Sequence, residues 1–254
     1  MKKLNLVTVA VLATTMVGGI VVSAAEANKA PDKLDTTAKV EFEKVETGGE
    51  NTEKPTPPGG GEIEPGPGGE TPETTSDLMI TFAPNFDFGT VKLDAKAKVV
   101  SAKNLIENEA GKVTHFVQVK DVRGTHTGWS LSATATALEN GDSILDGGSS
   151  IQISNFNVKG EEGNMATTPT STFNEIKFDG NQTDVMSAGA NAGEGVWSGL
   201  MGKDNTQTEE LNNDVKLNLT GTDAVKASVG EYTSTITWNL VGAPGETLSA
   251  TPKS

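Results

Sequence analysis

Hydrophobic and polar positions alternate over short stretches of this chain, and the alternation is sharpest near its C-terminus. From Tyr232 to Leu240, every second residue places Tyr232, Ser234, Ile236, Trp238 and Leu240 on one side, with Thr233, Thr235, Thr237 and Asn239 on the other. A period of two is that of a strand with one buried face. The same arrangement occurs at 129–137, where Trp129, Leu131, Ala133, Ala135 and Ala137 oppose Ser130, Ser132, Thr134 and Thr136. Trp-x-Leu spacing sets an indole beside an isobutyl group, and the chain does this twice.

Weaker strand signals fill the region between. Leu78, Ile80 and Phe82 alternate, and Asn85-Phe-Asp-Phe-Gly-Thr90 turns into Val91-Lys-Leu93. Lys98–Val100 and Val113–Val119 follow, the latter with Phe116 opposite Val117 and Val119. Ile151 and Ile153, then Phe156 and Val158, predict one strand that changes face near Asn155, as a bulge would cause. Phe173, Ile176 and Phe178 lead into a turn at Asp179-Gly180-Asn181, and Asn140-Gly141-Asp142 marks another. Val185-Met186, Gly195-Val196-Trp197 and the alternating Val215, Leu217 and Leu219 complete the set. Sustained helical periodicity is missing; only Val99–Asn108 and the stretch around Glu209–Asn213 have room for a turn or two of helix. About nine to eleven short strands without crossover helices predict an all-β fold, an antiparallel β-sandwich with Greek-key-like connections.

The N-terminal third has a different pattern. A basic start at Lys2-Lys3, an apolar run from Leu4 to Val22 and the small residues Ser23-Ala24-Ala25 read as a secretory signal over 1–27. Residues 28–46 hold a short strand, with Ala38, Val40 and Phe42 alternating with Lys39, Glu41 and Glu43, which is expected to join a sheet edge of the domain. Residues 47–76 are dominated by Gly, Pro, Glu and Thr, with Ile63 as the one large aliphatic side chain. Such composition predicts a disordered acidic loop or linker, extended and mobile, ahead of a β domain at 77–254.

Composition narrows the function. The chain has 254 residues, no Cys and a formal charge of −14. Without Cys there are no disulfides, so the fold rests on its hydrophobic core, and an N-terminal lipid anchor is excluded. The acidic balance repels nucleic acid and anionic polymers, so any wall contact has to use shape, stacking and hydrogen bonds. No second apolar run follows the signal, so no membrane span is expected after cleavage, and the C-terminal Ser249–Ser254 has no sorting motif.

The motifs Asn85–Thr90, Val117–Leu131, Gly195–Trp197 and Tyr232–Pro244 together resemble those of WxL-domain cell-surface proteins of low-GC Gram-positive bacteria, in their small, single-domain form. The resemblance covers nearly all of the mature chain. It implies an exported, non-enzymatic protein held non-covalently on the cell wall through peptidoglycan, often beside a membrane-anchored surface protein of the same cluster. Docking onto that partner, or onto host extracellular matrix, without direct wall binding is the alternative.

Six residues are candidates for binding: Trp129, Leu131, Trp238, Leu240, Trp197 and Arg123. The Trp129 and Trp238 indoles share the apolar face of their strands, so they either pack in the core or meet at a sheet end and stack on sugar rings or a partner. Trp197, flanked by Gly195 and Gly199, is expected in an irregular Gly-rich run, as an exposed platform or a plug of the sandwich end. Arg123 is the single arginine. Its rigid fork suits a carboxylate such as Asp121, an indole face or a ligand carboxylate. Catalytic, metal and cofactor sites are not expected: His115 and His126 lack nucleophile or metal-ligand spacing, and Asn140–Asp146 and Asp179–Asp184 lack the full ligand series of a calcium loop.

Overall fold

The computed structural model describes residues 39–41, 47–51, 54–63, 66–109, 111–207 and 210–242, with backbone only for 204–207. The signal segment 1–27, most of the expected strand within 28–46 and the C-terminal residues 249–254 lie outside the described residues; Lys39–Glu41 is not strand.

The strands, in chain order, are β1 (Gly69–Glu70), β2 (Leu78–Pro84), β3 (Lys98–Lys103), β4 (Ile106–Asn108), β5 (Gly111–Asp121), β6 (Trp129–Ala135), β7 (Leu138–Asn140), β8 (Ser143–Leu145), β9 (Ser150–Ile153), β10 (Phe156–Gly160), β11 (Glu175–Lys177), β12 (Thr183–Ala188), β13 (Gly195–Gln207) and β14 (Leu211–Leu219). A short helix α1 (Gly221–Lys226) and β15 (Ile236–Gly242) complete the order. A six-stranded sheet runs β1-β2-β5-β13-β10, with β4 also on β5; a four-stranded sheet runs β11-β9-β14-β3, and a three-stranded one β12-β6-β15. All strand pairs are antiparallel. Partners distant in sequence, such as β5 with β13 and β6 with β15, make the connections Greek-key-like. β7 and β8 pair as a separate two-stranded sheet. The main core draws on the three larger sheets, from Val117, Val119 and Met201 through Ile151 and Val215 to Trp129 and Leu131, so the six-stranded sheet forms one layer of an antiparallel sandwich and the four- and three-stranded sheets the other.

Four local expectations are corrected. Val99–Asn108 and the region after Glu209 are strands, because both pair across the β3–β14 and β4–β5 ladders. The helix among the described residues lies instead at α1, where the Thr220 hydroxyl caps the Asp223 N–H. Residues 151–158 are not one bulged strand: β9 pairs with β14 and β10 with β13, so the chain changes sheets at Ser154-Asn155. Several further strands of two or three residues, too short for a sequence period, raise the strand number to fifteen among the described residues.

Among its described residues, the Pro/Gly/Glu-rich excursion has little regular structure, only the two-residue β1 and the bridges Glu50–Thr74 and Gly66–Gly69. Its described part lies against the domain. Ile63 is 2% exposed and packs with Phe82, Ile106, Val113, Phe116 and Leu200 in a second core on the outer face of the six-stranded sheet. Phe82 and Phe116 stack there with centroids 4.5 Å apart. Beside them the buried Gln118 donates to the Thr56 carbonyl (2.9 Å) and to the Ser198 hydroxyl (2.9 Å), and accepts from Thr81 (2.8 Å). The outer face is apolar at this end, and the excursion covers it.

Candidate functional site

The two Trp-x-Leu motifs lie on neighbouring strands. In the β6–β15 ladder Leu131 is opposite Leu240, Trp129 opposite Gly242, and Trp238 opposite Ala133. Each indole thus faces a residue with little or no side chain, which lets two rings and two leucines fit on one face of a two-strand unit. β6 is central and β15 is an edge, and the consequence is unequal burial. Trp129 and Leu131 are each 1% exposed, whereas Ile236, Trp238 and Leu240 are half-buried along the margin of the core.

Trp197 sits in β13 and not in an irregular run. It pairs with Gly160 on one side and Val119 on the other, and is 3% exposed. Of the two flanking glycines, Gly195 does adopt a left-handed backbone (φ +82°) at the start of the strand, whereas Gly199 is there for space: a Cβ on it would lie 2.3 Å from the Phe156 ring, and one on Gly160, across the ladder, would lie 3.2 Å from the indole.

The buried indoles act together on one loop. Trp129 donates its N–H to the Gly193 carbonyl (2.9 Å), and Trp197 donates to the Glu194 carbonyl (2.8 Å). Asn164 adds a bond to Glu194 O at 2.9 Å. Loop 189–195 is therefore fixed from below by two core tryptophans. Gly193 has φ +76°, and a Cβ there would come within 2.7 Å of the Trp129 nitrogen. Across from it, loop 122–128 is held by Arg123, which grips Asp121 with both arms (Nε to Oδ1 2.9 Å, Nη2 to Oδ2 2.8 Å) and reaches the Gly128 carbonyl at 2.7 Å. Both side chains are nearly buried, at 9% and 5% exposure. The two loops meet where Asn191 N–H donates to His126 O (2.9 Å), both residues having left-handed backbones (φ +62° and +56°), and His126 Nδ1 contacts the Glu194 carboxylate.

The six candidates thus divide. Trp129, Leu131, Trp197 and Arg123 belong to the core and its loop supports, and Trp238 and Leu240 stay within reach of solvent. Sequence reasoning missed the loop carbonyls of Gly193 and Glu194 and the paired left-handed residues; the glycine spacing in Gly189–Gly195 was the available signal. Among the described residues, no cluster of three or more His, Asp or Glu side chains is arranged to hold a metal, and no helix is long and apolar enough to cross a membrane.

No curated protein and no solved structure matches the chain. A family model described as WxL domain, surface cell wall-binding, matches residues 29–244, which include both Trp-x-Leu motifs and every sheet described above. The chain belongs to the WxL family of surface cell wall-binding domains.

Proposed function

We propose that this domain is an exported, non-enzymatic wall anchor that binds peptidoglycan non-covalently through the half-buried row Ile236-Trp238-Leu240 of β15, after cleavage of 1–27 as a signal. One observation carries the reading: the other two indoles are buried with their N–H groups engaged inside the protein, and Trp238 keeps part of its face accessible. An indole flanked by aliphatic side chains offers a flat apolar platform for the C–H face of a sugar ring. β15 has no charged residue, so attraction to a charged polymer plays no part and binding is insensitive to salt.

The test is sedimentation with purified sacculi at low and high salt, alongside Trp238→Ala, with a thermal melt of each protein. Salt-resistant binding of wild type that is lost in a normally melting Trp238→Ala supports the reading; undiminished binding by that variant refutes it.

A second reading has its own observation. The strands at the other ends of the six-, four- and three-stranded sheets carry charged residues, Glu70 on β1, Lys159 on β10, Glu175 and Lys177 on β11, Lys98 and Lys103 on β3 and Asp184 on β12, whereas β15 carries none. Charged side chains guard edges against added strands, so β15 suits pairing with an extended strand of a membrane-anchored partner or a host extracellular protein. Wild type that stays in solution with sacculi favours this reading.

A further inference from the structure

His115 lies in β5 on the face turned to the other layer and is fully buried. Its ring stacks on Phe86, with centroids 5.3 Å apart and planes 5° from parallel. From the opposing sheet, the buried Asn212 of β14 brings its amide nitrogen to His115 Nδ1 (3.1 Å), Thr114 Oγ1 (3.1 Å) and the Met201 carbonyl (2.9 Å). Asn212 Oδ1 accepts from the Asp214 N–H at 3.0 Å, which fixes the amide orientation. The amide nitrogen therefore donates, His115 Nδ1 accepts, and the ring proton sits on Nε2. Among the described residues, Nε2 is buried without a partner.

We propose that the His115–Asn212 pair is an acid-sensitive clasp between the six-stranded and four-stranded sheets. A second ring proton has to go on Nδ1, where it points at the Asn212 N–H donors; the accepting contact is lost and a cation is left between apolar layers. Asn212 lies beside the irregularity in the β3–β14 ladder, between Asn212 and Lys216, so the opposing sheet is least regular where the clasp holds it. No neighbouring carboxylate compensates among the described residues. Asp87, next to Phe86, pairs with Lys103 of β3 (2.8 Å); Glu107 of β4 and Glu210 both engage Lys112; Asp214 accepts from Asn155 (2.5 Å) and from the Lys203 N–H of β13 (3.2 Å).

Burial alone pushes the His115 pKa down from 6.5 to about 4. A folded value below the unfolded one means that the unfolded chain takes up the proton first. This contribution is complete above pH 6.5, falls as the pH drops toward 4, and is spent below that. The displacement corresponds to roughly a 300-fold rise in the unfolding constant across this window. Exposed carboxylates held low by lysines, such as Asp87, add their own loss only at lower pH.

The chain has two histidines, so ring-nitrogen NMR of the wild type reads both, and His115→Phe assigns the buried ring apart from the exposed His126. The expected result is a His115 ring that stays neutral and Nε2-protonated in the folded protein down to pH 5. Hydrogen exchange at 112–116, 199–202 and 211–215 should accelerate on acidification before that at 189–195. In urea, the unfolding constant of His115→Phe should change far less between pH 6.5 and 4.5 than that of wild type. A His115 ring that titrates near 6.5 while folded, or parallel pH dependence of wild type and variant, overturns the proposal. If His115→Phe does not fold, the wild-type ring measurement decides alone.

Discussion

Trp129→Phe tests whether the first Trp-x-Leu motif acts by pinning loop 189–195. The substitution keeps an aromatic ring in a site that is 1% exposed but removes the N–H that donates to Gly193 O at 2.9 Å. Leaving a buried carbonyl without its donor costs about 1–3 kcal/mol. The smaller ring adds a lost-contact and cavity contribution of roughly 1–2 kcal/mol. The sum is about 2–5 kcal/mol, below the roughly 5–15 kcal/mol that holds a typical domain folded, so the variant should fold and melt lower. For a domain of this size each kcal/mol is worth about 2–4 °C in Tm. Urea denaturation gives the magnitude, and hydrogen exchange at Gly193–Gly195 gives the location, since loosening should concentrate there. A variant within about 0.5 kcal/mol of wild type, with unchanged exchange in that loop, would refute the argument that the indole N–H holds it.

Two further outcomes follow from packing. Gly199→Ala places a Cβ 2.3 Å from the Phe156 ring and should destabilise by about 1–3 kcal/mol. Adding Phe156→Leu should recover part of that loss, and additive effects in denaturant would show that the two sites do not touch. Ile63→Ala should cost about 2–4 kcal/mol and speed proteolysis near Pro58–Gly61, because Ile63 is the excursion's plug in the second core; unchanged cleavage would mean that the excursion is held by its hydrogen bonds alone.

The strands legible in the sequence were those with one buried face. β15 announces itself because solvent lies on one side, over Thr237 and Asn239, and β6 because its second face is polar, with Ser130 exposed, Thr134 partly so and Ser132 buried. Where both faces are buried the pattern disappears: from Val113 to Val119 every residue of β5 is buried, and the reading could recover only that a strand existed. Trp197 was misplaced because both flanking glycines were read as backbone freedom, which holds for Gly195 (φ +82°) where the strand begins, whereas Gly199 makes room for the Phe156 ring inside it. The sheet change at Ser154-Asn155 looks like a bulge in one dimension, since both reverse the apolar face. For α1 the Thr220-Gly-Thr-Asp223 spacing was a usable capping signal, too brief to stand out without a following apolar period. Of the candidate site, the motif residues and the Arg123–Asp121 pairing were legible; which indole stays accessible was not, because that depends on β15 being an edge.

The ladder between β6 and β15 also constrains the order of assembly. Ser132 and Asn239, joined across it, are 107 residues apart in the chain. Closing so long a loop has to precede any gain from the contacts, which places this domain among slowly folding topologies. The first motif emerges from synthesis with its strand unpaired on one side and waits for the second, so the sheet is completed only when the chain near Gly242 becomes available. Removing even part of 236–242 should therefore do more than shorten an edge: it leaves a half-finished hydrophobic layer around β6, and such a chain should be held by chaperones or degraded, not displayed as a smaller folded domain.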